Sequence, residues 1–393
     1  MKKHYFLLLL LLLNFTASAQ NDRLSENAEI SILTIGPGDN LYDRFGHSAF
    51  RVYDPENDID WAYNYGVYDF NTPNFYTKFA RGKLLYKLAV SYYEPFLNSY
   101  IKQDRWVKEQ VLDLTYSEKK AVFDFLQNNA KPENQYYLYD FFYDNCATKI
   151  RDVLVEALKD KITYDNQLVV RKHTFRELIQ ENVHYNTWGS LGMDVAIGAV
   201  VDQEANSWEY QFLPKYVFEA ASTATIKTPS GTKDLVKETR TIYDTEERSD
   251  AGIFFLSPLF IFGIIGLLLV FVTYKNYKNQ ERSRYLDMGI FLITGLVGVF
   301  ILLLWFATDH SSTANNYNML WAFPLSLFFA PLIAKRSPNK WLGRYIKLLY
   351  ILLVLLAIHW ITGTQGYAIG FIPLLIALFV RYIYLDGFFK KLT

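Results

Sequence analysis

The chain has 393 residues, and its 40 basic residues are balanced by 40 acidic ones, so its formal net charge is zero. A balanced charge lacks the basic excess that is typical of nucleic-acid-binding proteins, and no nucleic-acid partner is expected. The length allows more than one domain, and the composition changes sharply near residue 250, where polar sequence gives way to long apolar runs.

Residues 1–19 are predicted to be a secretory signal peptide. A basic start at Lys2 and Lys3 is followed by an apolar run at 6–13 and by the small-residue sequence Ala17-Ser18-Ala19. The alternative is an uncleaved anchor helix. The residue directly after the cleavage site is Gln20 and not a cysteine, which excludes a lipoprotein signal. The segment after the site is expected outside the cytoplasm.

Residues 20–221 are predicted to form one α+β domain. Strands are expected where β-branched and aromatic residues alternate with polar ones, at 30–35, 48–53, 60–68 and 83–92. A capping box, Thr115 with Glu118, predicts a helix that runs through Phe125. Further helices are predicted from Asp144-Asn145-Cys146 onward, at 174–181 and at 191–201. Residues 222–250 are polar and are expected to be a linker or a small hairpin.

Residues 251–393 are predicted to form a transmembrane domain of five helices. Apolar runs of about 20 residues match the thickness of a bilayer core, and they lie at 252–274, 288–308, 318–334, 345–362 and 367–385. Lys and Arg fill alternate loops, whereas 308–318 and the turn at 363–366 contain none. By the positive-inside rule, the N-terminal domain is periplasmic and the C-terminus is cytoplasmic, in a multi-pass protein of the inner membrane.

The chain contains a single cysteine, Cys146, at the predicted start of a helix. A lone cysteine in an oxidising compartment has no internal disulfide partner. The first turn of a helix lowers the pKa of a thiol, and its backbone N–H groups can receive an oxyanion. Cys146 is therefore the candidate nucleophile, and the alternative is a small buried residue on a helix.

A thiol nucleophile needs a base, and His47 is the preferred candidate because it lies at the mouth of a predicted strand after Gly46. His173 and His184 are the alternatives. A third group should orient the imidazole. Asn64, on the strand expected to pair with that of His47, is preferred for this role over Asp69.

Other polar residues are candidates for substrate contacts. Asp309, His310 and Asn318 cluster at the predicted outer membrane face, where a lipid head group could bind. Arg44 could pair with a phosphate, as could Arg51 and Arg151, although structural ion pairs are the ordinary explanation. Asn145, a predicted helix cap beside the thiol, is a further candidate.

Asp194 and Asp202 are expected either as exposed carboxylates or as a head-group or metal contact. The sequence has no cluster of Cys, His and carboxylates at metal-ligand spacing, so neither a catalytic metal nor another cofactor is expected.

The order of the candidate residues resembles that of circularly permuted NlpC/P60 enzymes. In both, a histidine on a strand comes first, then a paired strand with a polar orienting residue, and then a cysteine at a helix start. Lecithin:retinol acyltransferase and its phospholipid acyltransferase relatives share this order. The sequence more closely resembles the Lnb family of Bacteroidota, through Gly46-His47-Ser48, Asn64 to Phe70, Asn145 to Thr148, Phe212-Leu213-Pro214 and the C-terminal spans.

The resemblance implies a permuted papain-like periplasmic domain above a five-helix membrane domain, with Cys146 as nucleophile and His47 as base. It implies an acyltransferase that moves an acyl chain from a phospholipid, through an acyl-cysteine, to the α-amino group of a diacylglyceryl-cysteine lipoprotein. The retinol-acyltransferase-like enzymes place a histidine where this chain has Asn64. The alternatives are a membrane-tethered cysteine peptidase or amidase that acts on peptidoglycan, and a non-enzymatic lipoprotein-binding module.

Overall fold

A computed structural model describes residues 24–165, 172–245, 253–336, 339 and 341–391. The predicted signal peptide lies outside the described residues. The N-terminal part is built on a seven-stranded antiparallel sheet with the strand order β10-β5-β1-β2-β3-β4-β6. Its strands are β1 (Glu29–Ile35), β2 (His47–Asp54), β3 (Ile59–Val67), β4 (Leu85–Tyr92), β5 (Val107–Leu112), β6 (Tyr136–Leu138) and β10 (Val236–Tyr243). All four predicted strands are present, and β5, β6 and β10 were not predicted.

Two layers of helices cover the sheet. Helices of the described N-terminal part are α1 (Phe75–Ala80), α2 (Tyr93–Ile101), α3 (Tyr116–Asn129), α4 (Cys146–Leu158), α5 (Phe175–Gln180), α6 (Trp188–Ala196) and α7 (Pro214–Thr223). The capping box of Thr115 and Glu118 starts α3 as predicted. The helix predicted at 191–201 begins earlier, at Trp188, because Thr187 caps its first turn, and it ends earlier, at Ala196. A separate 3-10 turn, Ala199–Val201, follows it.

The main core lies between one face of the sheet and helices α3, α4 and α7. In α4, Ile150, Leu154 and Leu158 recur at helical spacing and are buried, as the periodicity predicts. They pack against sheet residues that include Phe50 of β2 and Tyr63 of β3. This packing holds α4 against the two strands that carry the candidate histidine and asparagine.

Residues 222–250 are not a simple linker. Helix α7 continues to Thr223, and a hairpin of β8 (Thr225–Thr228) and β9 (Gly231–Asp234) pairs with the short strand β7 (Ile162–Thr163). Strand β10 then pairs with β5 at the edge of the main sheet. The segment therefore belongs to the N-terminal fold as far as residue 243, and the predicted domain boundary moves toward the membrane helices.

The C-terminal part contains helices α8 (Pro258–Asn279), α9 (Arg284–Phe306), α10 (Leu325–Ile333), α11 (Trp341–Ile361) and α12 (Ile372–Lys391) among the described residues. Four of these regions are long and apolar enough to cross a membrane, namely α8, α9, α11 and Ile369–Lys391. The expectation of five full-length spans is not confirmed. Predicted span 318–334 is instead a 3-10 turn, Tyr317–Leu320, followed by α10.

The shortness of α10 has a chemical reason. Pro324 stands at its N-terminus, and a proline lacks the N–H that would continue an upstream helix. Nine residues at about 1.5 Å each cover less than half of a bilayer core of about 30 Å. The segment nevertheless ends beside the α8–α9 loop, where Arg282 donates to the carbonyl groups of Ile333 (2.7 Å) and Lys335 (2.8 Å).

A buried ion pair joins three of the long helices. The Arg381 side chain of α12 is fully buried and donates to Asp287 of α9 (2.8 Å) and to Asn276 of α8 (2.8 Å). A charge in an apolar bundle is tolerated only when it is paired and hydrogen-bonded. These contacts therefore fix the relative positions of α8, α9 and α12.

The two parts dock through backbone and amide hydrogen bonds at the segment 309–318. Gly198 N donates to Ser312 O (2.9 Å), and Ala199 N donates to Asn315 O (3.0 Å). The amide group of Asn316 donates to Val195 O (2.8 Å). Bonds of this kind have fixed directions, so they hold the N-terminal part in one orientation above the membrane helices.

We expect Gly198→Ala to disrupt this docking, because a Cβ at this position would lie 1.9 Å from Ala314 O. Overpacking of this kind costs about 1–3 kcal/mol. The variant should show a lower melting temperature in detergent and faster proteolysis at the docking segment. Gly192→Ala, also on helix α6, is the control, since a Cβ at Gly192 would meet no atom within 4 Å. It should not lower the melting temperature, because alanine favours a helix over glycine, and it should not speed proteolysis. Equal stability of the two variants would contradict the close contact.

Candidate active site

The three predicted catalytic residues come together at the end of the main sheet. His47 is the first residue of β2, and Asn64 lies on the neighbouring antiparallel strand β3. The His47 ring nitrogen Nε2 lies 2.7 Å from Asn64 Oδ1. An amide oxygen only accepts hydrogen bonds, so Nε2 carries a proton and donates it to Asn64. This bond orients the ring and leaves Nδ1 available on its other side.

Cys146 is the first residue of α4 and forms a hydrogen bond with the His47 imidazole. The helix start is defined by Asn145, whose Oδ1 accepts from Ala147 N (2.7 Å) and Thr148 N (2.9 Å). The amide group of Asn145 also donates to Phe212 O (2.8 Å). This buried cap fixes the position of the thiol, because it ties the beginning of α4 to a separate part of the chain.

The charge state of the pair follows from its surroundings. Burial alone would raise the pKa of Cys146, but the positive charge of His47 and hydrogen bonds from His47 and the backbone N–H groups of Ser48 and Cys146 lower that pKa below its usual value near 9. Burial alone would lower the pKa of His47, whereas the Cys146 thiolate and the hydrogen bonds with Cys146 and Asn64 raise that pKa above 6.5. Both shifts favour the form of the pair with a thiolate and an imidazolium, which is the reactive form of a cysteine nucleophile.

Several residues that sequence reasoning missed complete the site. The Tyr100 ring stacks on His47 with a centroid distance of 6.0 Å, and Arg105 lies close enough to oppose the protonation of His47. Gly66 lies over the thiol: its φ is +87°, and an added Cβ would lie 3.3 Å from Cys146 Cβ. The motif Asn64-Tyr65-Gly66 contained this signal, since a glycine in a strand often marks a close backbone approach.

Tyr139 forms part of the wall beside Cys146. Its ring stacks on Tyr86 with a centroid distance of 4.3 Å, and burial together with the charge of Cys146 raises its pKa well above 10. The Tyr139 hydroxyl therefore stays neutral at physiological pH. Aromatic rings therefore lie beside the thiol, and such rings suit an apolar acyl group.

The alternative candidates lie elsewhere. His173 lies 3.6 Å from Glu177 and 3.9 Å from Glu181, and the His184 ring stacks on Tyr185 with a centroid distance of 4.4 Å. Asp69 is exposed and accepts a hydrogen bond from Asn71 N (2.8 Å) in a local turn. The structure therefore brings together the preferred set of His47, Asn64 and Cys146.

The candidate substrate contacts at the outer face take part in docking between the two parts of the chain. Asp309 N donates to Arg81 O (2.9 Å), and Asp309 forms an exposed ion pair with Lys83 (3.4 Å). The His310 ring contacts Phe79 O (3.2 Å). The Asn318 amide group is buried and donates to Asp194 O (2.8 Å), which is a structural use of that side chain.

The remaining polar candidates have mixed outcomes. Arg44 is half-buried in the loop before β2, and Asn145 is the buried helix cap described above. Arg51 pairs with Asp60 (2.7 Å) and Arg151 pairs with Asp152 (2.8 Å), so both form the ion pairs expected of structural arginines.

Asp194 and Asp202 are not simple exposed carboxylates, because both bind the buried guanidinium of Arg176 at 2.7 Å and 2.8 Å. Within the described part of the chain, no group of three or more His, Cys, Asp and Glu side chains could hold a metal ion.

Comparison with protein families identifies both parts of the chain. Residues 15–181 match the Lnb N-terminal periplasmic domain, and residues 248–391 match the Lnb transmembrane domain. The protein belongs to the Lnb family. The two matches cover most of the chain, including His47, Asn64 and Cys146. Comparisons with curated proteins and with solved structures gave no match. Lnb membership indicates a membrane-associated protein with a periplasmic N-terminal domain that takes part in lipoprotein modification.

The charge state of the Lnb site can be tested by alkylation of Cys146 with iodoacetamide across a pH series. The thiolate form is lost as pH falls through the lowered pKa of Cys146, so the parent protein should react at a lower pH than an ordinary cysteine thiol. Burial raises the pKa of Cys146, and His47 is the main group that lowers it. The alkylation profile of His47→Ala should therefore shift to higher pH.

Tyr100→Phe is the control for a general change in access, because it keeps the ring that stacks on His47. Its profile should match that of the parent. Superimposable profiles for the parent and His47→Ala would contradict the ion pair.

Proposed function

We propose that this protein is a lipoprotein N-acyltransferase in which Cys146 carries the acyl group. The phospholipid is the acyl donor, and the acceptor is the α-amino group of a diacylglyceryl-cysteine lipoprotein. The observation that carries the proposal is the hydrogen-bonded series Cys146–His47–Asn64 on a domain that is docked onto membrane helices. The N-terminal domain is proposed to be a permuted NlpC/P60-type fold, since its histidine strand precedes its cysteine helix.

In the first step the Cys146 thiolate attacks the ester carbonyl carbon of the phospholipid. In this mechanism the tetrahedral oxyanion is stabilised by the backbone N–H groups of Cys146 and Ser48, which also lower the pKa of the thiol. As the intermediate collapses, the His47 imidazolium gives its proton to the departing alkoxide. A lysophospholipid leaves, and the enzyme holds an acyl thioester beside a neutral imidazole.

In the second step the neutral α-amine of the lipoprotein attacks the thioester carbonyl. His47 takes the proton that the nitrogen loses, and Cys146 leaves as a thiolate. The products are the amide and the original thiolate–imidazolium pair. Asn64 keeps the ring oriented in both steps, because its bond to Nε2 does not involve the nitrogen that faces the thiol.

Exposed aromatic residues support a lipid substrate. Tyr76 and Phe79 of α1 are 79% and 54% exposed. Both lie next to the Gly82 turn, where Arg81 O accepts from Asp309 N directly after helix α9. Helix α1 therefore lies at the level of the membrane boundary, where aromatic side chains favour the head-group region. We propose that helix α1 inserts into the outer leaflet. Lipid would then reach the Cys146 site between α1 and the stacked rings of Tyr86 and Tyr139.

We propose five membrane crossings, the third of them a broken segment at 317–334. Its beginning contacts the N-terminal domain through Asn318, and its end contacts Arg282 in the basic loop between α8 and α9. The basic residues of that loop and of 335–336 thus share one face, which the positive-inside rule assigns to the cytoplasm. The protein would lie in the inner membrane with its C-terminus in the cytoplasm.

Replacement of the nucleophile tests the covalent mechanism. A serine hydroxyl has a far higher pKa than a thiol and is not ionised by His47, so Cys146→Ser should reduce N-acylation at least about 10³-fold. The measurement is mass spectrometry of lipoprotein N-termini from cells that express each variant at equal levels.

Two results would overturn this mechanism. Continued N-acylation by Cys146→Ser or Cys146→Ala would exclude an acyl-cysteine. Release of peptides from peptidoglycan by the purified parent protein, without any acyl transfer in lipid vesicles, would favour a membrane-tethered peptidase.

The membrane contact of α1 is tested by the double variant Tyr76→Ser/Phe79→Ser. We expect a several-fold higher KM for phospholipid in vesicles, because the loss of two aromatic rings weakens interfacial binding. Alkylation of Cys146 by water-soluble iodoacetamide should be unchanged. Tyr92→Ser is the control, since Tyr92 is 70% exposed at the far end of β4. A KM equal to that of the control would exclude the proposed entry route.

A further inference from the structure

A polar cavity lies where the N-terminal domain meets the membrane domain. Its volume is about 460 Å³, which is large enough for a small polar head group. It is formed by α5, by the end of α6 and by the turn between α11 and α12. The lining residues on which the argument depends are Arg176, Asp194, Asp202, Trp360, Gln365 and Tyr367.

Three of these lining residues each have a buried polar atom without a hydrogen-bond partner among the described residues. The three atoms are Asp194 Oδ2, Gln365 Nε2 and the Tyr367 hydroxyl. The three side chains are at most 5% exposed. Gln180 lies near Asp194, but its amide does not meet hydrogen-bond geometry with Oδ2. An unpaired buried polar atom is destabilising, and three among the residues that line one cavity point to a missing ligand.

The orientation of Gln365 is fixed by the structure. Its Oε1 accepts a hydrogen bond from Tyr317 N (2.8 Å), so the unpaired atom is the amide nitrogen. The unpaired groups on the membrane-domain side are therefore a donor at Gln365 and a hydroxyl at Tyr367. The acceptor, Asp194, lies on the side of the N-terminal domain.

The charges of the cavity favour a cation near Asp194. Two carboxylates, Asp194 and Asp202, share the single guanidinium of Arg176, and Glu177 adds a further negative charge at the rim. Burial raises the pKa of Asp194 despite its bond to Arg176. An additional positive charge would stabilise the ionised form of Asp194.

Aromatic residues and position point to the membrane surface. The Trp360 and Tyr367 rings lie 5.4 Å apart, and Tyr185 lines the rim. Trp360 is at the end of α11, whose last residue is Ile361, so the cavity opens at the boundary of the proposed outer leaflet. Aromatic faces attract an ammonium group as well as lipid.

We propose that this cavity binds the head group of a phospholipid that has both a phosphate and a primary ammonium group, as phosphoethanolamine lipids do. The ammonium donates to Asp194 Oδ2 and faces Asp202, and phosphate oxygens accept from Gln365 Nε2 and the Tyr367 hydroxyl. A glycerol head group leaves Asp194 without a cation, and a choline head group has no N–H to donate. The proposal rests on the proposed function only in taking a phospholipid as the occupant, and the cavity is separate from the Cys146 site.

The test is native mass spectrometry of the full chain in detergent, titrated with phosphatidylethanolamine, phosphatidylglycerol or phosphatidylcholine. The Cys146→Ala background prevents turnover, so the result is independent of acyl transfer. We expect phosphatidylethanolamine to bind about tenfold more tightly than the other two lipids, in line with one charged hydrogen bond. Tyr367→Phe should weaken its binding about tenfold.

Tyr367→Phe removes an unpaired hydroxyl, so it should leave the melting temperature of the lipid-free protein unchanged or higher. Tyr382→Phe is the matched control, because Tyr382 also has a buried unpaired hydroxyl but lies in the core of the membrane domain. It should bind lipid as the parent does. Three outcomes would overturn the proposal: equal binding of phosphatidylglycerol, unchanged binding by Tyr367→Phe, or full displacement of the lipid by equimolar soluble phosphoethanolamine.

Discussion

The packing of helix α4 against strands β2 and β3 is the interaction on which the site depends. Cys146 is the first residue of the helix, and His47 and Asn64 lie on the two strands. Neither element creates a reactive thiol alone, because burial of the sulfur disfavours its ionisation. The imidazole and two backbone N–H groups reverse that effect only at contact distance. The apolar face of α4, which is buried against the sheet, is therefore also what makes the thiolate form accessible.

The second constraint is the docking of the N-terminal domain on the membrane helices. Hydrogen bonds of backbone groups and amides contribute to it, with Gly198 packed against the backbone of Ala314, and Leu191 and Val195 add apolar contacts with the membrane-domain core. Directional bonds of this kind set an orientation as well as a distance. The orientation places helix α1 beside the segment that follows α9, through the bond from Asp309 N to Arg81 O.

The same interface contains the polar cavity around Asp194. One arginine, Arg176, serves two carboxylates there, while polar atoms of the residues that line the cavity stay unpaired. A closed, fully satisfied interface would have been more stable. Unpaired groups at a domain junction are more typical of a binding site. On the other side of α5, Phe175 packs against Phe142, close to the cap of Cys146.

The local features of the chain were accessible from the sequence by itself. Alternating aromatic and polar residues determined β2 and β3, capping residues determined the start of α3 and α4, and apolar length determined α8, α9, α11 and α12. These depend on short-range chemistry, and so did the choice of Cys146 as a thiol at a helix start. A broken third span was also encoded locally, at Pro324, but length and hydropathy outweighed that single residue in the prediction.

Only the tertiary structure decided which distant residues meet. It placed Tyr100 and Arg105 beside His47, made β10 an edge strand rather than part of a linker, and turned Asp194 and Asp202 into partners of Arg176. It also gave Asn318 a structural role in docking. The physical reason is that long-range pairing depends on the shape of the whole core and on which polar groups burial leaves unsatisfied. Neither quantity can be calculated from a short stretch of sequence.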